Sequence, residues 1–317
     1  MNKGTAFDWQ LLIRILKYVK PYKKTFYATA LLTILLSLTT PLRPYLSQIA
    51  IDNYIKVNDK EGLMYMMILM TVLLLMQALF QYSFTLMTNL LSQNVIRDMR
   101  NDLYERLSKF DLKFFDKTPV GIPVTRLVSD METIADIFTD GLLVIIGDIL
   151  QMTGMLVFMF IIDWRLALIS ISTVPLLLIA TNIFQYKIKV TFNEVRTAVA
   201  NLNSFVQEHL TGMRIVQIFN REKEELEKFR NINKVHRDAN IKSVWYYSIF
   251  FPVVEILSAI AIGLLVWWGA GAVMREQATF GQLVAFIMYI NILFRPIREL
   301  ADKFNTLQMG MVASERI

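Results

Sequence analysis

The stretch LMYMMILMTVLLLMQALFQYSFTLMTNL, from Leu63 to Leu90, contains no Asp, Glu, Lys or Arg. As an α-helix it is about 42 Å long at 1.5 Å per residue, which exceeds the roughly 30 Å of hydrocarbon in a bilayer. Similar apolar runs give six candidate membrane spans in total, at about 25–51, 63–90, 142–162, 166–184, 246–268 and 280–297. The pattern predicts an all-α membrane protein with six transmembrane helices.

The composition agrees with lipid as the main solvent of this chain. Of the 317 residues, 55% are hydrophobic and 19% are charged, whereas soluble domains average about 45–50% and about 25%. There is no cysteine and there are only two histidines. A disulfide framework and a thiolate metal site are therefore excluded, and we expect neither a metal site nor a catalytic centre in this chain.

Basic residues predict the orientation in the membrane. Of the 33 Lys and Arg residues, 28 fall in the N-terminal segment, the two long loops and the C-terminal end, and four fall on the opposite side. By the positive-inside rule, both termini and both long loops are cytoplasmic. The net charge of +6 then reflects membrane topology and not a nucleic-acid partner. We expect a multi-pass protein of the plasma membrane, surrounded by lipid.

The segment LLSQNVIRDMRNDLYERLSKF, residues 90–110, continues the second span into the cytosol. Its apolar residues recur every three or four positions between charges, at Leu91, Val95, Met99, Leu103, Leu107 and Phe110. That spacing is typical of an amphipathic helix. With a second excursion of the same kind, it predicts two helical hairpins, at about 91–141 and 185–245, that project about 35 Å from the bilayer.

The tip of the first hairpin reads KFFDKTPVG, residues 113–121. Two adjacent aromatic rings, Phe114 and Phe115, lie here among charges and beyond the reach of lipid. One interpretation is that they contact another protein. The alternative is that they pack between the hairpins of this chain.

The order and spacing of several segments resemble the transmembrane domain of an ABC exporter half-transporter of the multidrug or lipid exporter type. These segments are FFDKTPVG followed by TRLVSD, then EHLTGMRIVQIFNREKEELEKF, and finally FRPIRELADKFNTLQMGMVASERI. The resemblance covers essentially the whole chain. It implies a dimer, with a like or an unlike second half-transporter, that forms an alternating-access pathway coupled to cytosolic ATPase domains.

Site residues follow from this resemblance position by position. The first coupling helix matches Phe114, Phe115 and Asp116, and the residues after it match Gly121, Thr125, Arg126 and Asp130. The second coupling helix matches Glu208, Leu210, Gly212, Ile215 and Phe219. The end of the sixth span matches Phe294, Pro296, Gln308, Arg316 and Ile317. Ile122 and Pro123 depart from the family, which usually has an acidic and then an aliphatic residue there, and Pro123 is expected to kink the returning helix.

The resemblance also shows which part of such a transporter this chain lacks. A P-loop requires G-x-x-x-x-G-K-[ST], and none of the twelve glycines here is followed by lysine. We expect ATP and Mg²⁺ to bind a nucleotide-binding domain outside this chain, so that the ABC-type translocase activity belongs to the complete protein. Either that domain has been removed from the chain or it is a separate polypeptide, and the fused layout usual in the family favours removal.

Three further features carry alternatives. Glu255, an acid within an apolar segment, either lines the substrate cavity or forms a structural hydrogen bond to a neighbouring helix. Arg43 either contacts substrate or, at the outer end of the first span, snorkels to the membrane surface or pairs within the hairpin. Residues 1–24 are predicted to form an interfacial elbow helix before the transmembrane domain of residues 25–317, with Trp9, Leu12, Leu16 and Val19 on one stripe. The alternative is a purely solvated leader.

Nothing in the spans selects a substrate, so small molecules such as drugs, lipids and peptides all remain open. A rival function is an ATP-independent membrane channel or receptor that uses the cytoplasmic hairpins for docking.

Overall fold

The computed structural model describes residues 9–317, apart from the side chains of residues 9, 10, 12, 140, 298, 300–302, 304, 305 and 308. Nearly all of this part is helical, and it contains no β-strand. Within it, six helical stretches are long and apolar enough to cross a membrane: Lys20–Ile55, Lys60–Ser108, Gly121–Ile162, Trp164–Thr211, Glu222–Met274 and Phe280–Ile297. They contain the six predicted spans, so the prediction of an all-α, multi-pass membrane protein is confirmed.

The α-helices of the described residues are α1 (Trp9–Lys17), α2 (Lys23–Thr39), α3 (Leu42–Ile49), α4 (Lys60–Ser108), α5 (Leu112–Lys117), α6 (Gly121–Thr125), α7 (Met131–Asp136), α8 (Leu142–Ile162), α9 (Trp164–Ile171), α10 (Val174–Thr211), α11 (Met213–Ile218), α12 (Glu222–Met274) and α13 (Phe280–Arg316). A 3₁₀ turn covers Lys20–Tyr22, and π-helical segments cover Ala50–Ile55, Arg126–Asp130 and Ile137–Gly141.

Prolines divide two of the spans. The first is interrupted after Thr39, where Pro41 precedes α3. The fourth is interrupted after Ile171, and Pro175 lies in the first turn of the next helix, α10. Proline lacks an amide hydrogen and its ring clashes with the preceding turn, so a helix ends before it or begins with it. Two other prolines, Pro252 and Pro296, lie inside the long helices α12 and α13, which continue past them.

The described chain forms two compact units. The first contains the residues up to 170 and those from 262 onward, and the second contains residues 171–261. A hydrophobic core of the first unit is formed by buried residues of α1 and the segment after it, α4, α7, the π-helical segment after α7, α8 and α13. They include Ile15, Val19, Leu91, Val95, Ile96, Met99, Met131, Ile134, Phe138, Ile145, Leu307 and Met311. The α4 residues of this core begin at Leu91, directly after the predicted span, where burial removes apolar surface from water.

Hydrogen bonds tie α13 to the end of the first span within the first unit. The Asp52 carboxylate accepts from the Thr279 hydroxyl at 2.5 Å and from the Gly281 amide at 3.0 Å. A Cβ atom on Gly281 would lie 2.6 Å from an Asp52 oxygen and from the Gln48 carbonyl, so only glycine permits this approach. Further along α13, the buried Tyr289 hydroxyl donates to the Pro41 carbonyl at 2.7 Å.

The predicted elbow helix has an apolar stripe, and it also packs against the core of the first unit. Ile15 and Val19 are buried in the core of the first unit, and Leu16 packs against it. The side chains of Trp9 and Leu12 lie outside the described residues, as do residues 1–8. The Tyr22 hydroxyl donates to Asp98 of α4 at 2.6 Å, so the turn after α1 is held to α4.

Candidate functional site

The first hairpin ends in a short helix, α5, that is separate from its stem. After α4 ends at Ser108, the Phe114 amide donates to the Asp111 carbonyl at 2.9 Å, and the Thr118 amide donates to the Phe114 carbonyl at 2.9 Å. Pro119 and Gly121 follow and lead into α6. This helix therefore forms one turn and a half at the far end of the stem.

Three phenylalanine rings cluster at this tip. The ring centroids of Phe110 and Phe114 are 4.8 Å apart, and those of Phe114 and Phe115 are 5.4 Å apart, both pairs edge to face. Phe114 is half-buried, Phe115 is 43% exposed, and Asp116 is exposed. Leu112 and Val120 beside them are largely exposed. Phe114 thus packs with Phe110 and Phe115, yet the tip still presents apolar surface outside the predicted spans.

The segment that returns from the first tip is held to the neighbouring helices. The Arg100 side chain donates to the Leu127 carbonyl at 3.0 Å and forms an ion pair with Glu132 at 2.8 Å. Asp130 and Arg316, which both match the family pattern although far apart in sequence, form an ion pair at 3.6 Å. The predicted disturbance near Pro123 corresponds to a five-residue helix, α6, followed by a π-helical segment.

The second hairpin also ends in a short apolar helix, α11. The Gly212 amide donates to the Glu208 carbonyl at 2.8 Å and ends α10, and Asn220 turns the chain with a φ of 51° before α12 begins. Four large apolar side chains around α11 are mostly exposed: Leu210 at 68%, Ile215 at 63%, Ile218 at 66% and Phe219 at 71%. Glu208 is exposed as well. The predicted residues therefore lie together on one tip.

A charged cluster lies directly beside α11. The His209 ring contacts the Phe205 carbonyl through Nδ1 at 2.8 Å and the Glu225 carboxylate through Nε2 at 2.9 Å. The Lys228 ammonium pairs with the other Glu225 oxygen at 2.8 Å. The Phe205 carbonyl, and after it the Glu225 carboxylate, raise the pKa of His209 against desolvation. Lys228, followed by His209, lowers the pKa of Glu225.

The structure places both Glu255 and Arg43 at exposed positions of their helices. Glu255 lies on α12 in the second unit, and its side chain is exposed. Arg43 is likewise exposed, on α3. Neither position by itself assigns a substrate contact.

Sequence reasoning missed a partly buried ion pair in the first unit. Asp148 of α8 lies inside the third predicted span, so Glu255 is not the only acid in an apolar segment. The Lys303 ammonium of α13 lies 2.6 Å from the Asp148 carboxylate, and both side chains are 17% exposed. Lys303 also contacts Glu299 at 3.1 Å. Asp148 was readable from the sequence as an intramembrane acid, whereas its partner, 155 residues away, was not.

Among the described residues, no group of three or more His, Asp or Glu side chains is arranged to hold a metal ion. The chemistry that this chain displays at its tips is apolar contact and ion pairing.

Comparison with known proteins defines the class. The family model for the ABC transporter transmembrane region matches residues 26–297. The chain therefore belongs to this family, and the resemblance drawn from its motifs is confirmed.

Individual relatives refine this assignment. The chain is 29% identical over 98% of its length to an uncharacterized ABC transporter ATP-binding protein of Bacillus subtilis, of which it covers 52%. It is 29% identical over 98% of its length to a putative ABC transporter ATP-binding protein of Streptococcus pneumoniae, of which it covers 53%. It is 25% identical over 96% of its length to an ATP-dependent lipid A-core flippase of Syntrophus aciditrophicus, of which it covers 52%. The chain thus spans about half the length of these relatives.

Proposed function

We propose that this chain is the transmembrane domain of an ATP-driven ABC exporter, which forms the substrate pathway as a dimer with a second half-transporter. ATP and Mg²⁺ bind nucleotide-binding domains that lie outside the chain, on the cytosolic side of the plasma membrane. Closure of these domains moves the hairpins, and the hairpins move the spans. The names of the relatives, which refer to ATP-binding proteins, support this proposal over an ATP-independent channel or receptor.

The observation that carries the proposal is the exposed apolar surface at both hairpin tips. Phe115 on the first tip and Phe219 on the second lie outside the predicted spans, so lipid does not cover them. Burying one such ring contributes roughly 1.5–3 kcal/mol. A few rings in a groove of an ATPase domain make a joint that stays engaged while the domain rotates.

The substrate class follows from the relatives only as a proposal. One relative is named as a lipid A-core flippase and another as a probable multidrug resistance transporter. An amphiphile with a lipid-like or drug-like apolar body is the substrate class that both names share. Glu255 and Arg43 are candidate contacts for its polar part.

The test combines this chain with its ATPase domain in sealed vesicles. Changing both Phe114 and Phe115 to alanine should largely abolish ATP-driven transport, while membrane insertion and ATP binding stay intact. Substrate should also no longer stimulate ATP hydrolysis. Tyr104→Ala, at an exposed aromatic residue of the α4 stem, is the matched control and should transport normally. Normal transport by the double variant would mean that the rings only pack within the first tip.

A further inference from the structure

His209 and Glu225 join the two helices that flank α11. His209 lies in the last turn of α10 and Glu225 lies in the first turn of α12. Their contact at 2.9 Å joins residues 16 positions apart and closes a loop that contains the whole of the short helix. At the far end of that helix, the Arg221 amide donates to the Val216 carbonyl at 3.0 Å. The side-chain contact thus joins the two ends of the second tip.

The geometry around the imidazole favours two protons on the ring. Nδ1 faces the carbonyl of Phe205 and Nε2 faces the carboxylate of Glu225. Both of these groups only accept hydrogen bonds at neutral pH. A neutral imidazole has one N–H and can donate to only one of them, so the imidazolium alone satisfies both contacts.

The surroundings also favour a positive charge. The His209 ring stacks on Phe205 at 3.7 Å between centroids, and a cation is stabilised by an aromatic face and by the C-terminal end of a helix. The charged groups around it are Glu208 on its own helix and Glu225 on α12, with Lys228 behind the latter. The short helix α11 contributes Arg214 as its single charged residue. The His209 and Glu225 side chains are only 20% and 15% exposed.

We propose that His209 is a positioning residue for the second tip: in its charged form it holds α10 and α12 together across α11, and it releases them when it loses a proton. This inference rests on the proposed function, in which α11 contacts an ATPase domain. Histidine is the side chain whose charge changes near cytosolic pH. The tip is then rigid at mildly acidic to neutral pH and loosens as the cytosol becomes alkaline.

The pH dependence of the contact between His209 and Glu225 follows from the pKa shifts of both residues. The pKa of His209 is raised above its ordinary value of 6.5, so its contribution is fully present below 6.5 and is lost as pH rises through the raised pKa. The pKa of Glu225 is lowered below its ordinary value of 4.5, so its contribution is lost only as pH falls through that lowered pKa. The contact is therefore strongest between the two pKa values.

The first measurement is a nitrogen NMR titration of the two histidines of the whole chain in nanodiscs. His236→Gln removes the second imidazole and so assigns the signals. Both His209 nitrogens should carry protons at neutral pH, and the ring should titrate at lower pH in Glu225→Gln than in the parent. Glu227→Gln, on the same helix, should leave the titration unchanged. A neutral His209 at pH 7, or a titration that ignores Glu225→Gln, would overturn the proposal.

The second measurement follows hydrogen exchange of residues 213–218, corrected for the intrinsic rate at each pH. From about pH 6 to 8.5, protection should fall several-fold in the parent and stay low throughout in His209→Gln. His209→Lys keeps a charge and should hold high protection across the range. Identical profiles for the parent and His209→Gln would refute the positioning role. Because no ATPase domain is present, this result is independent of the transport test of the proposed function.

Discussion

The helix α4 contains two regions that differ in charge and in burial: the uncharged region is largely exposed, and the charged region has fully buried apolar residues. Its first 28 residues after Gly62 carry no charge, yet most of their large side chains are exposed, as at Leu75, which is 62% exposed. The next 18 residues carry six charges, yet Leu91 and Val95 are fully buried. In lipid, apolar groups gain nothing by leaving the solvent, whereas in water they do. In α4, most large apolar side chains of the predicted span are therefore exposed, whereas the apolar side chains at the start of the stem are buried against protein.

The hairpin tips expose several apolar side chains together, and we propose that a partner covers them. Their apolar side chains are exposed, like those of the first region of α4. Unlike that region, however, the tips lie outside the predicted spans, beyond the amphipathic stems. Phe115, Ile215 and Phe219 have neither lipid nor a core of this chain to cover them fully. A protein surface is the remaining way to remove them from water, which is the physical basis for assigning them a coupling role.

The largest loss of unfolding free energy should come from removing one partner of the ion pair between Asp148 and Lys303. Asp148→Ala leaves the Lys303 ammonium, whose side chain is 17% exposed, without its closest partner. The loss should approach the roughly 3–5 kcal/mol that breaking a fully buried ion pair costs. The unfolding free energy in mixed micelles measures it. The double variant Asp148→Leu with Lys303→Met should recover most of the loss.

An exposed ion pair is the matched control. Glu194 and Lys242 lie 2.8 Å apart but are 43% and 46% exposed, so Glu194→Gln should cost about 1 kcal/mol or less. Equal losses for Asp148→Ala and Glu194→Gln would show that the Asp148 pair is solvated.

The next effect compares the two regions of α4 directly. Leu91→Ala creates a cavity in the core of the first unit and should lower the unfolding free energy by about 2–5 kcal/mol. Leu75→Ala removes the same atoms from an exposed position and should change it by about 0.5 kcal/mol or less. The two variants are measured side by side in the same micelles. A larger loss at Leu75 would contradict the assignment of lipid to the first region.

Local patterns in the sequence predicted much of this structure. The six spans follow from run length alone, and the three-to-four spacing after Leu90 predicted the buried Leu91, Val95 and Met99. The break at Pro41 was also readable, because proline interrupts helices, but the first span was treated as one segment. These features depend on neighbours along one helix.

Contacts between distant segments were not predictable in the same way. The ion pair of Asp148 with Lys303 and the clamp of Asp52 on α13 join residues 155 and more than 220 positions apart. The pairing of His209 with Glu225 depends on how the second hairpin closes. The periodicity of a sequence predicts that a helix has an apolar face. It does not predict which other helix packs against that face.

The central claim is that six spans place both hairpin tips in the cytosol, opposite the turns near residues 56 and 275. Since the chain has no cysteine, single cysteines report without background. Gln217 lies on α11 and avoids the positive φ of Asn220, and Lys56 lies on the other side of the predicted membrane. Gln217→Cys and Ser108→Cys should react with an impermeant maleimide only after the cells are opened, whereas Lys56→Cys should react in intact cells. Labelling of Gln217→Cys from outside intact cells would contradict the account.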